Sequence, residues 1–271
     1  MKVFNRVLAL AAASVALAGA APAAAHSTAA HQPVVLKVGA ALVPHAEILA
    51  FIKPKLAAQG IDLQVVVLDD EVQLNPALAD KAIDANYFQH VPYLDAVSKE
   101  KGWSFTVAGA VHVEPIGFYS SRITAKDQLK AGATIGIPNN PSNEYRALVL
   151  LQSQGLIKLK PGITTFSATP GDIAENPKHL EFVEADAAQL PRSLPDLDGA
   201  VINTNVILEA KLDPNGAVFR EGRDSPYANV VVTRKGEEGR PEIKKLVAAL
   251  RTKEVKDFIK SKYGVAVVPA F

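Results

Sequence analysis

Alternation of strand and helix patterns over residues 34–85 constrains the fold more than any other feature of the sequence. Helical apolar spacing occurs at 46–59 and 75–82, and short apolar or β-branched runs at 34–38, 63–68 and 83–85 predict buried strands. Gly60 follows the first helical segment, where glycine commonly ends a helix. This order predicts an α/β fold with a parallel sheet whose faces are covered by helices.

A second set of strands and helices occupies the middle of the chain. A helix is predicted at 144–154 and another helix starts near Asp172, among strands at 117–120, 134–137, 180–184 and 199–202. A strand at 228–233 and one long helix at 242–262 end the chain. The two sets separate near 114–117 and rejoin near 225–228, which predicts two lobes, a pair of crossover strands and a hinge. The expected boundaries are 33–115 with 226–271 for lobe 1, and 116–225 for lobe 2.

The first 25 residues have the pattern of a secretory signal peptide. Lys2 and Arg6 precede an apolar run at 7–18, and three alanines that end at Ala25 form a small-residue cleavage site. The run is shorter than the roughly 20 residues that a membrane-spanning helix needs. We therefore expect cleavage near Ala25 and a disordered leader at 26–32. With no cysteine for disulfides or for lipidation, we expect a soluble periplasmic protein without a stable membrane anchor.

Composition argues against nucleic-acid binding, and the motifs argue against an enzyme. Lysine and arginine total 29 against 28 acidic residues, and no basic stripe is present. The signatures G-x-S-x-G, H-E-x-x-H, G-x-G-x-x-G and the P-loop are absent from the sequence. We therefore expect a binding protein that uses no cofactor.

Polar and aromatic residues are concentrated directly after the strand predicted at 83–85. The run Asn86-Tyr87-Phe88-Gln89-His90 is unlike a core strand. Ligands of open α/β sheets bind beyond the carboxyl ends of the strands, so this run predicts a ligand cleft. Asn86 could instead cap a helix whose rings pack inward, and the two interpretations are compatible.

Arg146 is the strongest candidate for binding an anionic group. It is predicted in the first turn of the helix at 144–154, just after a loop that ends at Asn143. A guanidinium can hold a carboxylate through two parallel hydrogen bonds. The alternative is a surface arginine that pairs with Glu144 or with a distant acid.

Amide and aromatic side chains could complete such a site. Asn203 follows the strand at 199–202 and Asn229 lies in the returning crossover; an amide can bind both an ammonium and a carboxylate. Turn formation is the alternative role, above all for Asn203. Four rings could line a pocket, although each could equally belong to the core: Tyr87, Phe88, Tyr119 and Tyr145.

Three histidines raise the question of a metal site. His45, His90 and His112 are far apart, match no compact ligand motif and have no cysteine to supplement them. A metal carrier can gather distant histidines, but ordinary hydrogen bonding is the commoner role. We expect no metal.

Several long segments of the chain form a further pattern. They are VPHAEIL, IDANYFQHVPYL, VHVEPIGFYS, GATIGIPNNPSNEYRALVLL, ENPKHLEF, AAQLPRSL, AVINTN and DSPYANV, with VVPAF at the C-terminus. Together they resemble the methionine-binding lipoprotein family, the NlpA/MetQ-type solute-binding proteins of ABC importers, over nearly all of 34–271. The resemblance implies a type II periplasmic-binding-protein fold, with two α/β lobes, two crossovers and an amino acid enclosed between them.

The resemblance also implies roles for individual residues. Arg146 would hold the ligand carboxylate, and Asn203 and Asn229 would bind the amino-acid head group. The side chain would be surrounded by Tyr87, Phe88 and His90. The expected ligand-binding set is completed by Asn143, Tyr145 and His45.

Two positions depart from the family pattern. Glu71 stands in LDDEVQ where many relatives have a tyrosine, and Asn205-Val206 replaces the common Asn-Tyr. We expect Glu71 to point to solvent and Tyr145 to close the pocket, because a buried charge needs a partner. The alternative is that Glu71 meets a polar or cationic group of the ligand.

The expected function is capture of L-methionine or a close analogue in the periplasm and its delivery to an ABC permease and its ATPase. Lobe closure around the ligand would provide the mechanism. The alternatives are a different amino acid, a short peptide or a metal-linked ligand, or a periplasmic enzyme on the same scaffold.

Overall fold

The computed structural model describes Met1 and residues 32–68, 70–163, 167–222 and 225–271. The predicted signal peptide and leader lie outside these residues, apart from Met1 and Gln32. Strands alternate with helices throughout the described chain, so the expected α/β class is confirmed.

Strands and helices have the following bounds. The strands are β1 Val34–Ala40, β2 Ile61–Val67, β3 Ala85–His90, β4 Phe105–Val113, β5 Gly117–Tyr119, β6 Thr134–Pro138, β7 Lys158–Leu159, β8 Ile173–Glu175, β9 Glu181–Ala185, β10 Gly199–Ile202, β11 Phe219–Arg220, β12 Ala228–Arg234 and β13 Val268–Pro269. The helices are α1 Glu47–Ala57, α2 Leu74–Ala79, α3 Val91–Lys101, α4 Pro141–Ser153, α5 Leu190–Ser193, α6 Thr204–Glu209, α7 Pro241–Leu250 and α8 Lys253–Tyr263.

The first sheet has six strands in the order β13-β4-β12-β3-β1-β2. β1 pairs in parallel with β2 and β3, whereas β12 runs antiparallel to both β3 and β4. The expected parallel sheet is therefore right for the N-terminal strands and wrong for the whole. The reason is topological. The chain leaves this sheet at one end of β4 and returns to it at the same end in β12, so β12 must run antiparallel to β4.

The second sheet has five strands in the order β11-β5-β10-β6-β9 and is also mixed. β6 is parallel to β9 and β10, and β5 is antiparallel to β10 and β11. A separate two-stranded sheet pairs β7 with β8. The strands of the first sheet lie at 34–113 and 228–269 and those of the second at 117–220, so the β4–β5 and β11–β12 connections border the cleft between the lobes.

The strand predicted at 83–85 is corrected to β3, which spans Ala85–His90 and is buried at every position. Its polar residues are tolerated because they bond to one another. Asn75 Nδ2 donates to Gln89 Oε1 at 2.9 Å, and Asn86 Nδ2 donates to Asn75 Oδ1 at 2.9 Å. The cap of α3 is His90, which accepts from the Tyr93 amide, and not Asn86. Paired amides satisfy the buried polar groups that otherwise argue against a strand.

Two helix predictions also need correction. The long helix at 242–262 is two helices, because Thr252 is extended (φ −96°, ψ 162°) and separates α7 from α8. The helix start near Asp172 is one 3₁₀ turn, Pro170–Asp172, which leads into β8. Helix α6 was not predicted, and α3 begins at Val91, later in the chain than a cap at Asn86 would place it.

Each main sheet has its own hydrophobic core. Around the first sheet, side chains of α1, α7 and α8 pack on the strands, among them Leu36, Ile48, Tyr87, Val231 and Leu246. Around the second sheet, α4 packs on β5, β6 and β10 through Phe118, Ile135, Leu148, Leu151 and Val201. Two independent cores let each lobe keep its shape, which places the loops at the strand ends rigidly.

Candidate functional site

A cavity of about 480 Å³ is lined by residues from both lobes. This volume falls in the range of roughly 300–1,000 Å³ that small-molecule sites occupy. Lobe 1 contributes the end of β3, the turn Glu71–Gln73 and the start of β12. Lobe 2 contributes the start of α4, the turn Ala187–Gln189 and the start of α6. Ligand-sized space therefore meets strand ends and helix N-termini, as the sequence predicts for this fold.

Arg146 lines this cavity and is 3% exposed. It lies in the second turn of α4 and not in the first, because the helix already begins at Pro141. Its Nε donates to both carboxylate oxygens of Glu221 at 3.1 and 3.2 Å, and its Nη2 donates to the Glu114 carbonyl at 2.8 Å. The Tyr227 ring lies 4.1 Å from the guanidinium carbon. Within the described residues no hydrogen bond uses Nη1, so this nitrogen can donate to a ligand.

The alternative of a surface arginine is wrong, because Arg146 is buried, but its distant acid is present and is Glu221 rather than Glu144. The guanidinium is held from behind by a carboxylate and a carbonyl while its remaining donors stay free. Such fixation lowers the cost of ordering the side chain when a ligand binds.

His90, Asn143 and Asn203 form a hydrogen-bonded array along the cavity. His90 Nδ1 accepts from the Tyr93 amide, so Nε2 carries the proton and donates to Asn143 Oδ1 at 3.0 Å. Asn203 Nδ2 donates to the same oxygen at 3.1 Å. Burial and the Arg146 charge lower the pKa of His90 to about 3, which keeps the ring neutral. With both nitrogens occupied, His90 can offer a ligand only its ring.

Asn203 is the residue of this array whose side chain has an acceptor without a partner among the described residues. It is the N-cap residue of α6, but its side chain makes no cap hydrogen bond. Its Oδ1 is buried without a partner among the described residues. Since a buried unsatisfied acceptor is costly, this oxygen is suited to accept from a ligand ammonium.

A second network runs behind the cavity wall. His45 Nε2 lies 3.0 Å from Asn229 Oδ1 and 3.3 Å from Glu114 Oε1, and His112 Nε2 lies 2.7 Å from the same Glu114 oxygen. The Tyr87 hydroxyl bonds to His112 Nδ1. Asn229 and Glu114 line the cavity, whereas His45 and Tyr87 lie fully buried behind them. His45 and Tyr87 therefore support the site and are not part of its surface.

Burial perturbs every titrating group of this network. It lowers the pKa of His45 to about 4 and that of His112 to about 3, and it raises the pKa of Tyr87 and of Glu114. The potential metal-ligating atoms of His45, His112 and Glu114 lie within 4.8 Å of one another. His90, the third histidine of the sequence hypothesis, does not join them. Within this cluster, hydrogen bonds join His45 to Asn229 and His112 to Glu114.

Glu71 does not point away from the site, which corrects the sequence expectation. It lines the cavity, and Asn205 Nδ2 donates to its Oε1 at 3.0 Å. Tyr145 is absent from the lining among the described residues and packs instead with the core of the second sheet. The partner that makes a half-buried Glu71 tolerable is thus an amide from the other lobe.

Of the rings proposed from sequence, Phe88 lines the cavity and Tyr119 bonds to the Pro214 carbonyl away from it. Sequence reasoning missed several contributors: Glu114, Glu209, Tyr93 and Tyr227. Glu114 lies in the VHVEP segment directly after an apolar run at 106–112, which is a position that could have identified it.

In the described part of the chain, none of the helices has both the length and the apolar character needed to cross a membrane.

Comparison with known proteins places this cavity in a family context. The family model described as NlpA lipoprotein matches residues 36–271. The chain belongs to the NlpA lipoprotein family. Its relatives include the methionine-binding lipoprotein MetQ of Bacillus subtilis, which is 42% identical over 237 residues, 86% of each chain. The D-methionine-binding lipoprotein MetQ of Salmonella typhi is 43% identical and covers 81% of this chain and 82% of that protein.

Solved structures of NlpA-family relatives agree with the fold. A nutrient-binding protein from Burkholderia cenocepacia, solved bound to methionine, is 45% identical with a TM-score of 0.84, and the match covers 87% of this chain and 100% of that chain. The structure of the methionine-binding protein MetQ is 37% identical with a TM-score of 0.83, and the match covers 88% of this chain and 98% of that chain. The expected two-lobe binding-protein fold and the family resemblance are both confirmed.

Proposed function

We propose that this protein captures methionine or a close amino-acid analogue outside the cytoplasm and delivers it to an ABC importer. The observation that carries the proposal is the buried Arg146, which lines the cavity, is held by Glu221 and the Glu114 carbonyl, and makes no hydrogen bond through Nη1 within the described residues. The names of the relatives, and the methionine bound in the structure from Burkholderia cenocepacia, support the same ligand class.

The cavity offers complementary groups for both charges of an amino acid. Arg146 Nη1 and the Asn229 amide nitrogen can donate to the carboxylate, and Asn203 Oδ1 can accept from the ammonium. Phe88 and Tyr93 supply apolar surface for the side chain. The proposed event is binding, with no bond made or broken.

Closure of the lobes would couple binding to transport. The bonds His90–Asn143 and Glu71–Asn205 both join lobe 1 to lobe 2 across the cavity. A ligand that contacts both lobes stabilises the closed arrangement and shifts a pre-existing equilibrium toward it. The permease would then recognise the closed form.

We further propose that the mature chain begins near His26 and acts in the periplasm. The relatives are named lipoproteins, which conflicts with our expectation of no membrane anchor; that expectation is based on the absence of cysteine from the sequence. Membrane fractionation of the exported protein separates the two possibilities.

Native mass spectrometry of the purified protein followed by calorimetry with L-methionine tests the binding function. The proposal requires a one-to-one complex that unfolding releases. Failure of every amino acid in a panel to bind the folded protein would refute it.

A further inference from the structure

Two carboxyl groups from different lobes meet in the cavity. Glu71 comes from the turn Glu71–Gln73 of lobe 1, and Glu209 ends α6 of lobe 2. Glu209 lies close enough to Glu71 for its charge to raise the pKa of Glu71, and Asn205 Nδ2 donates to Glu71 Oε1 at 3.0 Å. Two carboxyl groups this close repel each other when both are ionised, which favours a proton on one of them. The pair therefore holds one proton between the lobes.

The environment of the pair favours retention of this proton. Burial and the neighbouring charges of Glu209 and Glu114 raise the pKa of Glu71 to about 8. Burial also raises the pKa of Glu209. At neutral pH the pair thus carries about one negative charge rather than two, as expected for coupled carboxyl groups.

The charges that line the whole cavity are strongly unequal. Five acidic residues line it: Asp70, Glu71, Glu114, Asp186 and Glu209. Among the described residues, Arg146 is the one lysine or arginine that lines the cavity. It already forms an ion pair with Glu221. A zwitterionic amino acid with a neutral side chain adds no net charge. A second positive charge on the ligand would reduce the imbalance.

We propose that the preferred ligand is an α-amino acid of about methionine size whose side chain carries a positive charge, and that this charge displaces the proton held between Glu71 and Glu209. The inference rests on the proposed amino-acid capture and adds the chemical class of the side chain. The displaced proton passes to solvent, and no covalent bond of the ligand changes.

The surroundings of the pair suit such a side chain. Phe88 and Tyr93 line the same cavity, with ring centroids 6.1 Å apart in an edge-to-face arrangement. Aromatic faces attract cations and also cover the alkyl groups next to them. A sulfonium, in which the thioether sulfur of methionine carries an extra methyl group, combines both requirements in the smallest change from methionine.

The test compares L-methionine with its S-methyl sulfonium derivative by calorimetry at pH 7. Each titration is run in two buffers of different ionisation enthalpy, so that the number of protons released can be measured. We expect the sulfonium to bind about tenfold more tightly, or about 1.4 kcal/mol. We also expect it to release up to about one proton, whereas methionine releases none.

A substitution identifies the group that loses the proton. Glu71→Gln keeps an acceptor for Asn205 but removes the charge, so the sulfonium preference and the proton release should both disappear. The matched control is Glu181→Gln, at an exposed glutamate outside the cavity, which should change neither quantity. If Glu71→Gln does not fold, the number of protons that the wild type releases on binding the sulfonium still tests the proposal.

The outcomes distinguish this inference from the proposed function. Equal or tighter binding of methionine by the wild type, without proton release from either probe, overturns the inference and leaves amino-acid capture intact. A sulfonium preference that survives Glu71→Gln overturns the role of the pair. Absence of binding by both probes to folded protein overturns the proposed function as well.

Discussion

Replacing Arg146 by glutamine should lower ligand affinity and protein stability by separable amounts. The substitution removes the free Nη1 donor from the cavity. Loss of one partner from a buried, hydrogen-bonded charge pair with a ligand carboxylate costs about 2–5 kcal/mol. We therefore expect the dissociation constant for methionine to rise by roughly 30-fold to several thousand-fold.

The stability cost follows from the bonds behind the guanidinium. Arg146→Gln leaves Glu221 without its ion pair, in which the side chains are 3% and 18% exposed. Removing one partner of a fully buried pair costs about 3–5 kcal/mol, but Glu221 retains some access to water. We expect the free energy of unfolding to fall by about 2–3 kcal/mol, and the melting temperature by roughly 5–10 °C.

Calorimetry with methionine and urea unfolding of the same preparations measure both quantities. Glu221→Gln is the matched control, because it removes the ion pair while Arg146 keeps its bond to the Glu114 carbonyl and its contact with Tyr227. This control should lose comparable stability but less than about tenfold in affinity. Equal loss of affinity in both variants, or unchanged affinity in Arg146→Gln, would refute direct contact between Arg146 and the ligand.

Three further predictions concern packing, protonation and processing. Gly199→Ala should lower the free energy of unfolding, measured by urea titration, by about 3 kcal/mol. The reason is that the added Cβ would lie 2.1 Å from the Phe118 ring, which is stacked on Phe219. Gly222→Ala is the control, because its Cβ would lie in open space, and it should have almost no effect in the same titration. The buried imidazoles of His45, His90 and His112 have pKa values of about 3–4, well below the unfolded value near 6.5. Their contribution to stability is therefore present above pH 6.5 and is lost as the pH falls toward 3. Nitrogen-15 spectra should show no titration of these three rings between pH 7 and 5. N-terminal sequencing of the exported protein should begin near His26, and an uncleaved chain would contradict the signal-peptide assignment.

The local pattern of the sequence was sufficient for the fold class and for most of the elements. Apolar runs and glycine stops depend on neighbouring residues, so they identified β1, β10 and α4 to within a few residues. The same reasoning failed at β3, where polar residues looked unsuited to a strand. Asn86 and Gln89 are satisfied by Asn75, which is distant enough in the chain that no local pattern reveals the pairing.

The sequence also identified Arg146, Asn203 and Asn229 as candidate binding residues, from their positions after strands and near helix starts. Their detailed roles depended on long-range contacts. Glu221, 75 residues away, determines which donors of Arg146 remain free. Asn205, 134 residues from Glu71, explains how a carboxyl group can lie in the cavity.

The physical reason is that side-chain chemistry is local, whereas burial and charge balance are properties of the assembled lobes. A residue's type and its periodic neighbours determine whether it can donate, accept or cap, and these can be read along the chain. Its protonation state and its free hydrogen-bonding groups depend on which distant residues the fold brings within about 3 Å. The sequence by itself thus determined an α/β chain with an arginine and amides at strand ends, and the tertiary structure decided that Glu71 faces Glu209 across the cavity.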